Sequence, residues 1–363
     1  MRCRVLALLT AVLLASCAQA QAPAPAPASC NPAGGLRFVC GQSGPEDLVA
    51  VPGTAWLIAS GFGPDGGVNL IDTKAASSSR LFPDQGVADR LDSATYDMCP
   101  GPIPATDRKR FWTHGLYLKA AQNRAHTLYV VHHGSREAIE VFELDTRGQR
   151  PSLTWIGCAV APGNIGLNSV IALPEGGFAA TNFEPRGSLG GNLSEKLLSG
   201  QNNGEVWEWH TRTGWAKVPG SDTAGANGIE LSADGKWFYV SQWGNRSFMR
   251  LSRGVTPVKR DQIPLGFRVD NVRWAPDGTL LVAGQGGPDG MPPGPGQQPT
   301  PGVPTSVIGK VDPATMTYRE LISVPTSDLV SPATVAIQIG NEFWTGTFRG
   351  DRLTIYPVGG PGN

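Results

Sequence analysis

The alternation of apolar and polar positions recurs along this chain as a hairpin unit. Each unit begins with polar residues, continues as an apolar strand, turns at Asp, Gly, Pro or Asn, and returns as a second apolar strand. Apolar, β-prone runs on both sides of a short turn predict a β-hairpin. The clearest copies are NGIELSADGKWFYVSQ from Asn227, DNVRWAPDGTLLVAGQ from Asp270 and NSVIALPEGGFAATN from Asn168; looser copies begin at Glu46, His114 and Ala333.

Six such copies, about 40 to 70 residues apart, indicate a repeat architecture. Repeats of about 40–50 residues with four strands each are typical of a β-propeller. The longer intervals contain insertions, at 186–203 and at the Gly/Pro-rich 286–304. A β-sandwich is the alternative, but it does not need six similar units. We therefore predict an all-β fold, a six-bladed β-propeller with a central channel, over residues 35–358.

Composition and charge agree with this fold class and exclude several others. The 363 residues include 47 glycines and 31 prolines, as expected for a chain with many turns. Ten tryptophans and twelve phenylalanines argue against disorder. Thirty basic residues balance thirty acidic ones, so the basic excess of a nucleic-acid-binding protein is missing. We expect no nucleic-acid partner.

The N-terminus has the pattern of an export signal. Residues 1–20 contain two arginines, then an apolar run of secretory length, which predicts a signal peptide. The run Leu14-Ala15-Ser16-Cys17 resembles a bacterial lipobox, in which cleavage occurs before Cys17 and the cysteine is lipidated. Residues 21–34, rich in Pro and Ala, predict a tether. We favour a membrane-anchored lipoprotein facing the periplasm; the alternative is cleavage at Ala18-Gln19-Ala20 and a periplasmic or secreted protein.

Export implies an oxidising compartment, in which cysteines form disulfides. Four cysteines remain in the predicted mature domain: Cys30, Cys40, Cys99 and Cys158. They allow three pairings, and the sequence does not decide among them. Cys30–Cys40 with Cys99–Cys158 is the pairing that we favour.

The starts of the hairpins carry the candidate chemistry. In a propeller the innermost strands line the channel, so the first residues of the hairpins converge on one face. At these places the chain has five oxygen donors: Glu46, Asn168, Asn227, Asp270 and Asn271. Two carboxylates and three amides suit Ca²⁺, which takes 6–8 oxygen ligands. The alternative is that these side chains only cap turns.

Several short motifs, in a shared order and spacing, resemble a known family. Gly44-Pro45-Glu46-Asp47-Leu48, His114-Gly115-Leu116 and the strand LYVVHHGSREAIEVFEL from Leu128 are similar to the paraoxonase/arylesterase branch of the gluconolactonase-like six-bladed propellers. So are Leu167-Asn168-Ser169-Val170, Asn227-Gly228-Ile229 and Val269-Asp270-Asn271-Val272. The resemblance covers most of the predicted mature chain.

The resemblance implies a Ca²⁺-dependent lactonase or arylesterase. It implies a calcium ion in the channel on the five oxygen donors, and His114 and His133 as the base and its orienting partner. A second, structural calcium would use Asp47, the carbonyl oxygen of Leu116 and an Asp at position 169. Here that position is Ser169, which has no charge and puts the second site in doubt.

The predicted function is therefore hydrolysis of lactones or aryl esters, with Ca²⁺ polarising the carbonyl group and a His-activated water attacking it. One alternative is a sugar-lactone lactonase of the gluconolactonase type. Another is a non-catalytic propeller that binds a ligand at the cell envelope, since a fold alone does not imply catalysis. The expected partner is a small ester or lactone; any contact with a membrane would be through the N-terminal lipid. Because the chain has no G-x-S-x-G motif, a serine hydrolase is not supported.

Overall fold

The described strands form six sheets. In this computed structural model we describe residues 30–83, 86–186, 193–288 and 302–360. The predicted signal peptide, Cys17 and most of the predicted tether lie outside the described residues, as do parts of both insertions. The prediction of an all-β, six-bladed propeller is confirmed.

Blades 1 to 3 follow one another along the chain, each with its strands in antiparallel order. Blade 1 consists of β2 (Leu48–Ala50), β3 (Trp56–Gly61), β4 (Gly67–Asp72) and β5 (Ser77–Phe82). Blade 2 consists of β7 (Thr113–Lys119), β8 (Ala125–His132), β9 (Ala138–Asp145) and β10 (Ser152–Val160), with β6 (Ala88–Asp89) added in parallel beside β10 and α1 (Ala105–Arg108) preceding β7. Blade 3 consists of β11 (Ile165–Ala172), β12 (Phe178–Pro185), β13 (Glu205–His210) and β14 (Gly214–Lys217), with α2 (Glu195–Leu198) between β12 and β13.

Blades 4 and 5 repeat this order, and blade 6 is completed by the N-terminal strand. Blade 4 consists of β15 (Ala226–Leu231), β16 (Trp237–Gln242), β17 (Ser247–Ser252) and β18 (Arg260–Pro264). Blade 5 consists of β19 (Arg268–Trp274), β20 (Leu280–Gly286), β21 (Thr305–Asp312) and β22 (Thr317–Pro325). Blade 6 consists of β23 (Ala336–Ile339), β24 (Glu342–Thr345), β25 (Arg352–Pro357) and β1 (Arg37–Cys40). Because β1 pairs with β25, the two ends of the described chain close the ring.

The first strand of every blade lies next to the channel. The six first strands contact one another in a closed ring, from β2 through β7, β11, β15 and β19 to β23 and back to β2. They are the strands that open the six hairpins predicted from the sequence. The turns behave as expected as well: Gly235 and Gly278, in the two Asp-Gly turns, have φ of +72° and +79°, which glycine adopts without steric cost.

Two disulfides join cysteines within the propeller. Cys30 is bonded to Cys40 and Cys99 to Cys158, which is the pairing favoured from the sequence. Cys30 is bonded to Cys40 in β1, and Ala33 forms an isolated antiparallel β-bridge with Leu36, directly before β1. Residues 30–34, assigned to the tether from their composition, are therefore held to the fold. Such bonds are typical of oxidising compartments. Both described helices have a single turn, and no described helix is suited to span a bilayer.

Candidate catalytic and metal site in the channel

The inner strands of blades 2 to 5 are irregular at equivalent places. In each, the pairing with the second strand of the blade shifts register, at 113–116, 167–170, 226–229 and 269–272. The shifts contain His114, Asn168, Asn227 and Asp270. A bulge turns side chains out of the regular alternation and is common next to active sites. These irregularities explain why polar side chains on separate blades meet at the channel.

Glycine follows His114 and Asn227 because the bulge of each inner strand approaches the backbone of the next inner strand closely. A Cβ on Gly115 would lie 2.4 Å from the carbonyl oxygen of Asn168, and one on Gly228 would lie 2.6 Å from the Cα of Asn271. Both distances are far below van der Waals contact, and both obstacles are backbone. The His-Gly and Asn-Gly pairs therefore serve the packing of adjacent inner strands.

Replacing Gly228 with Ala is expected to lower the Tm, because the new methyl group must displace the backbone of β19. Overpacking of this kind costs about 1–3 kcal/mol. Gly148→Ala is the matched control, since its Cβ would be 3.5 Å from the nearest atom, an ordinary contact. Thermal unfolding of both variants measures the difference; equal Tm values would contradict the assigned role of Gly228.

All five candidate metal ligands are buried and lie in one connected group. Asn271 Nδ2 donates to Glu46 Oε1 at 2.7 Å, which links blade 5 to blade 1. Asn227 hydrogen-bonds to Asp270. Asn168 Nδ2 lies 3.2 Å from His114 Nε2, and that same nitrogen is 3.7 Å from Glu46 Oε1. The structure therefore brings together the residues predicted from the sequence, across five blades; their roles stay predictions.

The chemistry of this group fits a hard divalent cation. Four buried oxygens have no hydrogen-bond partner among the described residues: Glu46 Oε2, Asn168 Oδ1, Asn227 Oδ1 and Asn271 Oδ1. A buried polar atom without a partner costs about 1–3 kcal/mol. Burial and the nearby acidic side chains raise the pKa of Glu46, and burial raises that of Asp270. An oxygen-seeking cation would coordinate the free oxygens and neutralise both carboxylates.

Beside the candidate ligands, two histidines and a carboxylate form a chain of hydrogen bonds. His114 Nδ1 and His133 Nε2 are 2.9 Å apart. His133 Nδ1 lies 2.9 and 3.0 Å from the two carboxylate oxygens of Glu137. Glu137 also accepts a hydrogen bond from the backbone N–H of Leu167 at 2.7 Å. These contacts define the order Glu137–His133–His114, and all three side chains are buried.

With both rings in the neutral form that a general base requires, this order determines their tautomers. A carboxylate only accepts, so His133 donates from Nδ1 and its Nε2 is an acceptor. His114 must then donate from Nδ1, which leaves a lone pair on His114 Nε2. Burial, together with the adjacent ring of His133, lowers the pKa of His114 well below its ordinary value. His114 therefore presents an unprotonated nitrogen beside Asn168 and Glu46, as a general base requires.

His132 belongs to a separate, structural network. As the alternation of β8 predicts, it lies on the opposite side of the strand from His133. Its ring is fully buried, stacks on Phe111 with centroids 4.5 Å apart, and places Nδ1 3.3 Å from Glu140. Arg136 donates to both oxygens of Glu140, at 2.6 and 2.8 Å. This network provides a matched control for the channel histidine.

Aromatic side chains adjoin the site. Phe62 packs on His114 with ring centroids 4.6 Å apart, and Trp112 contacts both Phe62 and His133 at 5.3 and 5.5 Å. On the other side Gln285 Nε2 donates to Asp270 Oδ2 at 2.9 Å. Gln285 also lines a cavity of about 360 Å³, whose apolar side chains include Trp243, Val330, Pro332 and Phe348 and whose polar ones are Thr305, Thr326, Ser327, Ser331 and Arg349. The cavity next to Asp270 therefore offers both apolar surface and hydrogen-bonding groups.

The residues that the resemblance assigns to a second calcium are in other contacts. Asp47 is fully buried and forms an ion pair with Arg273, whose Nη2 also donates to the Leu116 carbonyl oxygen at 2.9 Å. The hydroxyl of Ser169 is buried and has no partner among the described residues. With a guanidinium group on two of the three expected ligands, these residues do not fit a second divalent ion.

Among the described residues, a second group of acidic and histidine side chains lies in blade 3. Glu175, Glu208 and His210 are close enough to share a metal ion. Arg253 forms ion pairs with both carboxylates, and Glu175 is exposed. Since Arg253 already occupies both carboxylates, the channel is the better candidate.

Sequence reasoning did not identify Glu137, Gln285 or Arg273. The available signal for Glu137 was its place in the turn after His133, where a carboxylate can orient the ring. For Gln285 it was the return of the blade 5 hairpin to the channel end. Arg273 carried a weaker signal, since it is a charged residue in an otherwise apolar inner strand.

Comparisons with known proteins support the fold. No model of a protein family matches the sequence. No curated protein matches it either. Among solved structures, a gluconolactonase from Xanthomonas campestris is 16% identical, with a TM-score of 0.53, over 89% of this chain and 88% of its own. A luciferin-regenerating enzyme is 13% identical, with a TM-score of 0.51, over 89% of this chain and 94% of its own. At these identities the similarity establishes the propeller architecture.

Proposed function

We propose that this protein is a calcium-dependent hydrolase of lactones and aryl esters. One observation carries the proposal: four unpartnered, buried oxygens of candidate ligands lie beside a histidine whose Nε2 is kept as an acceptor by the chain Glu137–His133–His114. A purely structural channel has no need of both features. The gluconolactonase among the similar structures agrees with lactone chemistry.

The ligand set would be Glu46, Asn168, Asn227, Asp270 and Asn271. When bound, Ca²⁺ supplies a Lewis acid that polarises the substrate carbonyl group and stabilises the developing oxyanion. Water can complete the coordination, since Ca²⁺ takes 6–8 oxygens. Asn168 has a double role: its Oδ1 is free for the ion while its Nδ2 lies against His114 Nε2.

The histidine pair moves the proton. A water molecule beside His114 loses its proton to Nε2 as its oxygen bonds to the carbonyl carbon. The positive charge that develops on His114 is stabilised through His133 by the Glu137 carboxylate. When the tetrahedral adduct collapses, the C–O bond to the leaving oxygen breaks. The proton returns from Nε2 to that oxygen, yielding a hydroxy acid from a lactone, or a phenol and an acid from an aryl ester.

The surroundings of the site favour substrates with an apolar substituent. Phe62 and Trp112 pack near the base, and the adjacent cavity contains Trp243, Val330 and Phe348. A sugar lactone, as in gluconolactonases, is the second candidate substrate, and its hydroxyl groups would have partners in Thr305, Thr326, Ser327 and Ser331 of the same cavity. Anchoring by lipid at Cys17 and a periplasmic location are part of the proposal, since the disulfides agree with export.

The function is tested with purified protein and three substrates: an alkyl-substituted γ-lactone, glucono-δ-lactone and phenyl acetate. We expect hydrolysis of the alkyl lactone and phenyl acetate, loss of the rate on full removal of metal by a chelator, and recovery on adding Ca²⁺. Turnover of the sugar lactone alone would favour the second candidate. A calcium-loaded protein with no turnover would instead be a binding propeller, and full activity without metal would contradict the mechanism.

A further inference from the structure

We infer that the Arg273 guanidinium is a resident cation that replaces a second, structural metal ion in the wall of the channel. This position is separate from that of the proposed catalytic ion, and its role does not depend on hydrolysis. Asp47 lies there, fully buried and directly after the candidate ligand Glu46. A buried carboxylate is retained only where a positive charge or several donors stabilise it.

Arg273 meets these needs and joins three inner strands. Its Nη2 binds Asp47 and the Leu116 carbonyl oxygen, the latter at 2.9 Å. Its Nε donates to the Leu48 carbonyl oxygen at 3.2 Å. Asp47 in turn accepts from the backbone N–H groups of Leu48 and Leu116, at 2.8 and 2.7 Å. One guanidinium group thus holds β2 and β7 against β19, with oxygen contacts of the kind that a bound cation makes.

Replacing a divalent ion and an aspartate by one guanidinium group and a serine leaves the summed charge unchanged. A divalent ion on Asp47 and an aspartate at position 169 would give a neutral group. A single guanidinium charge on Asp47, with the uncharged Ser169, balances this pair in the same way. Glu230, whose Oε1 lies 3.9 Å from Arg273 Nη1, is a further buried carboxylate, and burial raises its pKa to about 7. Position 169 neighbours this place, because its Cα would be 2.6 Å from a Cβ on Gly115, the residue before Leu116. The uncharged residue at 169 and the guanidinium of Arg273 are therefore two features of one site built for a single positive charge.

The consequence is that calcium removal leaves the junction of the inner strands intact. The positive charge of arginine is permanent at ordinary pH, and a chelator cannot extract it. A metal-dependent junction would lose its cation whenever calcium is scarce. In this protein only the channel group should depend on calcium.

The test compares calcium stoichiometry between wild type and two variants by equilibrium dialysis with metal analysis. In Arg273→Met/Ser169→Asp the guanidinium is removed and the carboxylate restored, so we expect one more bound ion per chain than in wild type. Ser169→Asp alone, with the guanidinium retained, should bind no additional ion. The additional ion bound by the double variant tests the role of Arg273. The number of ions bound by the wild type tests the proposed channel ion, so the two proposals can fail separately. A wild-type protein that binds two ions per chain would overturn the inference.

A second measurement covers the case in which the double variant does not fold. Arg273→Met leaves Asp47 buried without its partner and should lower the Tm by about 10 °C. Arg273→Met/Asp47→Asn removes the nearer of the two carboxylates that lose their cation, the other being Glu230, and should recover part of that loss. Equal Tm values for these two variants, or a wild-type Tm that falls by as much on chelation as in Arg273→Met, would overturn the inference.

Discussion

Replacing Glu137 with Gln is expected to lower kcat for lactone hydrolysis by about 10²- to 10⁴-fold, with calcium affinity unchanged. The Gln amide can donate to His133 Nδ1, which reverses the tautomers of both rings and places a proton on His114 Nε2. The base then has no free lone pair; loss of the orienting carboxylate in a Ser-His-Asp triad has an effect of this size for the same reason. Steady-state kinetics and calcium titration measure the two quantities.

The pH profile distinguishes an orienting role from a structural one. Because the pKa of His114 is lowered, the wild-type rate should fall with acidification only below the ordinary imidazole range. In Glu137→Gln this fall should move to still lower pH, since no carboxylate stabilises the protonated pair. Glu137→Asp should restore part of the rate. Glu140→Gln is the matched control, because Glu140 orients the neighbouring His132 outside the channel; an equal rate loss in this control would refute the assigned chain.

Asp270→Asn is expected to weaken calcium binding by at least about 100-fold and to lower hydrolysis in step. It removes one of the two carboxylates in the ligand set while keeping the size of the side chain. Even residues that only support metal ligands contribute about 10- to 100-fold in affinity, so a direct anionic ligand should contribute at least the upper value. Calorimetric titration measures the affinity, and excess calcium should restore part of the rate.

Asp270→Asn should change the Tm of the metal-free protein and that of the calcium-loaded protein in opposite directions. Without metal, Glu46 and Asp270 are both buried with raised pKa values, so the folded protein retains protons that the unfolded chain releases as the pH rises. The stability of the metal-free protein therefore falls from pH 5 to pH 8. Asp270→Asn should raise the Tm of the metal-free protein at pH 8 and lower that of the calcium-loaded protein. A change of the same sign in both states would contradict the assignment; Glu140→Gln again serves as the control.

The blades were predictable because their information is local. In the hairpin from Asn227, alternating apolar residues and the Asp234-Gly235 turn specify two strands within sixteen residues. Repetition of that local pattern then implies the closed ring. The boundaries of the inner strands were less predictable: β11 begins at Ile165, three residues before Asn168, because a bulge lets the strand continue past the functional side chain.

Site residues were predictable where residue type and position in the repeat identify them. They were not predictable where their role depends on a contact with a residue distant in sequence. Asn168 and Asp270 could be grouped since each begins an equivalent hairpin. The partner of Asp47 is Arg273, 226 residues away, and no periodicity relates the two. Glu137 is close to His133 in sequence, yet its role also depends on the N–H of Leu167 in the next blade.

If the protein is held by its N-terminus, as proposed, the closing strand would have a mechanical consequence. A force applied before residue 30 would ordinarily reach Arg37 first and peel β1 from β25 one residue pair at a time. The covalent bond from Cys30 to Cys40 carries that force past the closing strand to its far end. The pairs from Arg37–Ile355 to Val39–Leu353 would then lie within a closed covalent loop that bears no tension, and the load would enter the sheet at Cys40. Blade 6, which is assembled from both ends of the described chain, would thereby be protected from loss of its N-terminal strand.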